Sequence, residues 1–296
     1  MQIQKNYPLV SSAASEIRAL TNGTKSIEDF LRDQYRNSLI PEDKRIFFEI
    51  PLYLQHLLFD ISINYTHHPD NYNVLVTRLN RLKEVIYITL NYDLILDGAL
   101  SAFYEISSLN SYINDRKNWS LIKLHGSVNW GYEANVPEGA NESDFFRGVL
   151  IKLAEVLKEN KKLVYRNEKS LIDIRFQGTP PRLYYPALSV PIGLADELVC
   201  PGEHQTFLIN KLKGIKNINI LLIGFSGFDS SVLNLLEVSQ INLRSLMIVN
   251  GSLKSGWSVI EKLRQKIRFT PNNEMVYKSS FTNFVRDGSL DKFLNF

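Results

Sequence analysis

The chain has 296 residues, of which 44% are hydrophobic and 22% charged, enough apolar material for a large single domain or one core with a substantial insertion. Its 34 basic and 31 acidic residues leave a formal charge of +3, too small an excess for a dedicated nucleic-acid binder, which shows a clustered basic face. Cys200 is the single cysteine, which excludes an internal disulfide and any multi-cysteine metal site.

The start, Met1 to Asn6, is polar, and no apolar run approaches the length of a membrane span, so the expectation is a reducing, cytoplasmic location with no membrane partner. The densest basic stretch, Lys158, Lys161, Lys162, Arg166 and Lys169, also holds Glu159 and Glu168. It reads as a solvated helix and turn rather than a nucleic-acid interface.

The first 70 residues read as mostly helical. Ala13, Ile17 and Leu20 fall at helical spacing, and Thr24 or Ser26 is a candidate cap for a segment carrying Ile27, Phe30 and Leu31. A longer run from about Glu42 to Ile63 places Phe47, Ile50, Leu54, Leu57, Leu58 and Ile61 on one broad face, with Pro51 marking a kink or a division into two helices. A short helix is predicted over Asn73–Leu82. Val85–Thr89, β-branched and apolar, is a buried strand. Leu94–Tyr104 is a helix, and Leu121–Leu124 a second short strand.

Residues 131–182 are less regular and read as an insertion or small lobe within one domain spanning 1–296, with a helix over Glu142–Asn160. Tyr184–Pro191 is extended, and its prolines argue against a central strand. The rhythm then resumes: helix Glu203–Leu212, strand Ile218–Ile223, helix Ser230–Gln240, strand Leu246–Val249, helix Gly256–Ile267, strand Glu274–Tyr277, and a closing helix Phe281–Phe296 broken near Gly288. Strand, loop and helix repeated in this way predict an α/β fold, a Rossmann-like doubly wound, mostly parallel sheet with N-terminal helices and a helical insertion. Ligands in such folds bind beyond the C-terminal strand ends.

Three polar clusters fall at those ends. In Thr89-Leu90-Asn91-Tyr92-Asp93, an Asn and an Asp two apart can hold ribose hydroxyls, position a water or stabilise a cationic transition state. The competing reading is an Asx-turn or cap for the following helix. In Lys123 to Trp130, His125 can act as a general base, and Gly126 lets the backbone pass close to a ligand; the alternative is a satisfied structural histidine. His67 and His68 are adjacent, lack metal-ligand spacing, and read as surface residues. In Gly224 to Asp229, Gly224 turns the chain, Ser226 can bond phosphate or ribose, and Asp229 is placed to cap the next helix. That stretch is neither a Walker loop nor a GxGxxG fingerprint, and it differs from the nucleophile elbow.

Taken together, "ITLNYD" (88–93), "KLHGSVNW" (123–130) and "LLIGFSGFDSSV" (221–232) resemble the three successive motifs of the sirtuin-like family, most closely its bacterial NADase branch found in anti-phage defence. The resemblance covers about residues 80–280, and the histidine motif is its most specific part. It implies that Asn91 holds the nicotinamide ribose or the attacking water, that Asp93 supports that ribose, and that His125 is the base. Thr89, Gly126, Gly224, Ser226 and Asn250 are the implied cofactor-binding positions, and Asp229 caps the following helix. NAD is then a substrate, and no metal is expected.

The sequence departs from the family in two ways. The single cysteine removes the four-cysteine zinc lobe of the deacylases, and with it the expectation of protein deacetylation. The family also opens on a strand and a Gly-Ala-Gly type loop that cradles pyrophosphate, whereas no glycine occurs here before Gly23. Either the protein lacks that strand and loop, or the recorded chain starts late. The expectation is therefore an NAD glycohydrolase effector whose activity depends on a co-encoded sensor or activator, on homo-oligomerisation, or on both. The alternatives are a catalytically inactive subunit that binds NAD or ADP-ribose in a defence complex, and a nucleic-acid-associated scaffold.

Overall fold

The computed structural model describes residues 33, 37, 45–65, 70–113, 118–135, 162–166, 182–190, 198–214, 217–239, 241, 243–266 and 273–294. The predicted helices before Arg45 and over Glu142–Asn160, with His67 and His68, lie outside these residues.

Among them the chain runs α1 (Arg45–Tyr65), α2 (Asp70–Leu79), β1 (Val85–Thr89), α3 (Ile95–Ser101), a 3-10 turn at Leu109–Tyr112, β2 (Trp119–Lys123), β3 (Gly126–Asn135), β4 (Lys162–Tyr165), β5 (Arg182–Leu188), α4 (Gly202–Gly214), β6 (Ile218–Ile223), α5 (Ser230–Val238), β7 (Leu243–Asn250), α6 (Leu253–Lys266), β8 (Asn273–Lys278), α7 (Phe281–Arg286) and α8 (Ser289–Leu294). The protein is a mixed α/β structure with parallel sheets. β1 pairs in parallel with β2, and β6, β7 and β8 form a parallel three-stranded sheet in that order. Among the described residues no ladder joins the two.

Side-chain alternation nevertheless sends both sheets into the same two apolar clusters. Val85 and Tyr87 of β1, Leu121 of β2, Leu221 and Ile223 of β6, and Met247 and Val249 of β7 face one cluster, covered by α2, α3, α7 and α8 through Val76, Leu100, Phe284 and Leu290. Ile86, Ile122, Ile220, Leu222, Leu246 and Ile248 face the other, covered by α4, α5 and α6 through Leu208, Leu233 and Ile260. Val85–Thr89 and Ile218–Ile223 are near-continuous apolar runs that pack side chains into both clusters, yet both are only partly buried: Tyr87 is the buried residue of the first, and Ile88 is 38% exposed. Gly256 brings α6 close to β8, because a Cβ there would lie 2.3 Å from Val276 Cγ1.

The long helix α1 passes through Pro51 as one element. Its buried positions include Ile50, Leu52, Gln55, Phe59 and Ser62, while Leu57 is 37% exposed. The predicted face is rotated because two of the inward residues are polar and carry specific bonds. Gln55 Nε2 donates to Val128 O at 2.8 Å, and Ser62 Oγ accepts from Leu94 N at 2.9 Å.

Residues 126–135, expected to be irregular beyond Gly131, form the central strand of an antiparallel sheet ordered β4-β3-β5. The first half of β3 is buried, with Val128 and Trp130 fully so, so this sheet is built into the core from Gly126 onward. β5 carries Pro186 and lies at an edge, where a missing N–H is tolerated.

Gly126 has φ +88, and a Cβ on it would lie 1.9 Å from the Ala187 carbonyl oxygen. Glycine is required here by the close approach of β5. Gly126→Ala is expected to lower stability by at least about 3 kcal/mol, through left-handed strain and displacement of β5. Urea or guanidinium unfolding of the two proteins measures the difference.

Candidate functional site

The C-terminal ends of β1, β2 and β6 carry the three polar clusters, and packing decides which residues meet. His125 sits in the turn between β2 and β3, held by backbone bonds on both sides: Leu124 N donates to Thr89 O at 3.1 Å, and Ser189 N donates to His125 O at 2.8 Å. Its ring lies against the loop after β6. His125 Nε2 and Asp229 Oδ2 are 2.7 Å apart, with the two side chains 20% and 18% exposed.

Asp229 also caps α5, its Oδ1 accepting from Val232 N at 2.8 Å. The predicted cap is thus present, and the histidine contact is an addition that one-dimensional spacing does not reveal. Burial pushes the Asp229 carboxyl up, but the hydrogen bond from His125, the cap bonds and the histidine charge outweigh it and hold the group below its ordinary value.

Tyr92 completes this side of the site. Its ring centroid lies 6.4 Å from that of His125, its carbonyl accepts from Val128 N at 3.0 Å, and its hydroxyl donates to Ser189 O. With Nε2 donating to Asp229, the His125 Nδ1 lone pair is the one left to accept a proton.

Asn91 and Asp93 are turned toward a different neighbour. Asn91 is exposed. Its backbone N–H donates to Thr89 Oγ1 at 3.1 Å, and its side chain hydrogen-bonds the Tyr72 hydroxyl of α2. Burial raises the Tyr72 phenol and the nearby Asp93 charge raises it further, against the Asn91 bond. Asp93 Oδ1 accepts from Ile95 N at 3.0 Å, the Asx-turn that competed with the site reading. No described contact of Asn91 or Asp93 reaches His125.

The loop after β6 turns on two left-handed glycines, Gly224 at φ 67 and Gly227 at φ 72. Ser226 is exposed, and its carbonyl accepts from Lys262 Nζ at 3.2 Å. The same ammonium lies 3.0 Å from the centroid of the Phe228 ring, which is 79% exposed. Asn250 Oδ1 is engaged by Ser252 N at 3.0 Å, a local turn.

Below these loops lies a polar network that sequence reading passed over. Lys123, the last residue of β2, is fully buried. Its Nζ donates to Asp93 O at 2.5 Å and to Asp97 Oδ2 at 2.8 Å, and Tyr112 Oη donates to Asp97 Oδ1 at 2.6 Å. Asn129 Nδ2 donates to Tyr112 Oη at 3.2 Å. His204, also buried, bonds Leu109 O through Nε2 at 2.9 Å and packs on Trp130 with ring centroids 5.8 Å apart. The one available signal was a lysine in an otherwise apolar strand, and its partner Asp97 stands 26 residues away in the sequence.

Burial pushes the Cys200 thiol up to about 11, against a lowering bond from Gln205, so it is protonated at neutral pH and is no nucleophile. Among the described residues no group of three or more His, Cys, Asp or Glu is placed to hold a metal, and no helix is long and apolar enough to cross a membrane.

Two expectations follow from this geometry. Lys123→Ala leaves the Asp97 carboxylate buried and uncompensated, and should destabilise the protein by about 3–5 kcal/mol in chemical unfolding. The Asp229 carboxyl has a folded-state value below that of an unfolded aspartate. Its contribution to stability is therefore present above the unfolded value and is lost as pH falls through the folded one. The stability difference between wild type and Asp229→Asn should accordingly be full at about pH 5 and shrink below about pH 4, as read from unfolding curves across that range. A difference independent of pH would contradict the assigned ion pair.

Comparison with known proteins returns no match to any family model and none to a curated protein.

Proposed function

We propose that the chain is an NAD+ glycohydrolase, cleaving NAD+ to nicotinamide and ADP-ribose on a Rossmann-like doubly wound fold, and that it acts as a cytoplasmic effector of anti-phage defence gated by a partner protein or by self-assembly. The observation that carries this reading is the His125–Asp229 pair at the C-terminal ends of β2 and β6, where α/β folds hold their ligands. The sirtuin-like motifs around both residues give the reaction, and strands covered on both faces favour the doubly wound arrangement.

In this mechanism the nicotinamide–ribose bond breaks with its electron pair leaving on the nicotinamide nitrogen, and positive charge develops on the ribose. Water attacks the anomeric carbon and gives its proton to His125 Nδ1. Asp229 keeps the ring oriented and favours the imidazolium that forms, as carboxylates do for catalytic histidines. Asn91 and Asp93 hold the ribose, with Thr89, Gly126, Gly224, Ser226 and Asn250 along the cofactor. Asn91 and Asp93 must turn from Tyr72 and the Asx-turn toward His125 for this, which is where an activating partner or a second copy acts.

The second reading, an inactive subunit that binds NAD or ADP-ribose, is favoured by one observation: Asp93 Oδ1 is already engaged by Ile95 N. Chromatography of NAD incubated with the purified protein, alone and with the product of its neighbouring gene, separates the two. Wild type should yield nicotinamide with either ADP-ribose or its cyclic form, and His125→Ala should be slower by at least about 100-fold, the size of a general-base contribution. Calorimetric binding of ADP-ribose with no NAD loss in any condition would leave the second reading standing.

A further inference from the structure

We infer that the buried Lys123–Asp97 pair is a positioning device that hangs the Asn91–Asp93 loop on the strand end carrying His125. Its catalytic consequence rests on the NAD-cleaving reading; its structural consequence does not. Three carbonyls of the segment 89–93 are bound by the turn that holds His125: Thr89 O by Leu124 N, Tyr92 O by Val128 N, and Asp93 O by Lys123 Nζ. The first two are backbone bonds available to almost any sequence. The third needs a side-chain donor at the end of β2; Lys123 supplies it, and Asp97 balances its charge, since Lys123 is fully buried and Asp97 is only 6% exposed.

Stability alone does not account for the pair. Two charges taken from water carry a large desolvation cost, and a well-packed apolar pair of similar volume is often as stable or more so. A buried pair does supply direction. Lys123 Nζ reaches both the Asp93 carbonyl and the Asp97 carboxylate, and Tyr112 holds that carboxylate from the other side. The loop holding both ribose candidates is thereby set at one distance from His125.

The test is the full-length Lys123→Met/Asp97→Asn variant, which removes both charges with nearly matched shapes and keeps an acceptor for Tyr112. Its thermal midpoint should stay within about 5 °C of wild type. Amide hydrogen exchange at Leu124 and Val128 should accelerate at least about tenfold, while amides of β7 stay unchanged. In NAD turnover kcat should fall at least about tenfold with KM within about twofold, the pattern of a lost transition-state arrangement rather than lost binding.

A folded variant with unchanged exchange at Leu124 and Val128 overturns the proposal. Faster exchange with unchanged kcat in an active protein overturns its catalytic part. Faster exchange when neither protein cleaves NAD upholds the positioning role and overturns the enzymatic reading instead. Should this variant not fold, Lys123→Met/Asp97→Leu replaces it with the same readouts. Failure of both to fold would show that the pair serves folding itself, and would overturn the proposal.

Discussion

The candidate site of this protein is placed by one constraint: its parallel strands pack helices on both faces. Alternate residues of β1, β2, β6, β7 and β8 enter two opposed apolar clusters roofed by helices. Where that burial is complete, as in β2 and most of β7, it leaves the strand backbone no water, so the strand must pair with a neighbour. It also leaves the loops at the C-terminal strand ends as the places where polar side chains can gather without being walled in. The three candidate clusters lie there because the strands beneath them, β1, β2 and β6, are predominantly apolar.

At those ends the His125–Asp229 contact bridges the two parallel sheets, which no described backbone ladder connects. His125 follows β2 and Asp229 follows β6, and their side chains close the distance. Asp229 does two jobs with two oxygens: one caps α5, and the other holds the imidazole. The histidine is thus tied to a helix N-terminus as well as to its own turn, and its ring has little freedom to swing.

The histidine segment also carries a cost. Ser127 Oγ, Asn129 Oδ1 and Trp130 Nε1 are buried without a hydrogen-bond partner, and such groups are worth about 1–3 kcal/mol each in lost solvation. Lys123 and Asp97 add a buried ion pair beneath the same turn. Polar groups of this kind also lie elsewhere in the described core, at Gln55, Asn73 and His204, but the histidine segment holds three within four residues.

Much of this was determined by the sequence alone. The β-branched run Val85–Thr89, the apolar run Ile218–Ile223, the amphipathic α6 and the break at Gly288 are local patterns, and local pattern decides local structure when period and burial agree. Asp229 as a cap was legible for the same reason, since the bonding partner is three residues away. The rotation of the buried face of α1 was not, because Gln55 and Ser62 are polar and turn inward only for bonds to Val128 and Leu94.

Nor was β3, where residues beyond Gly131 read as irregular and Gly126 read as a close approach to a ligand, although Gly126 is demanded by Ala187 across the sheet. The site divides along the same line. Residue types and spacing singled out Asn91, Asp93, His125 and Ser226, but only the tertiary structure paired His125 with Asp229, turned Asn91 toward Tyr72 and placed Lys123 against Asp97. Each of those contacts spans many residues of sequence, and long-range side-chain contacts are chosen by how the strands and helices pack, which no periodicity within a single segment encodes.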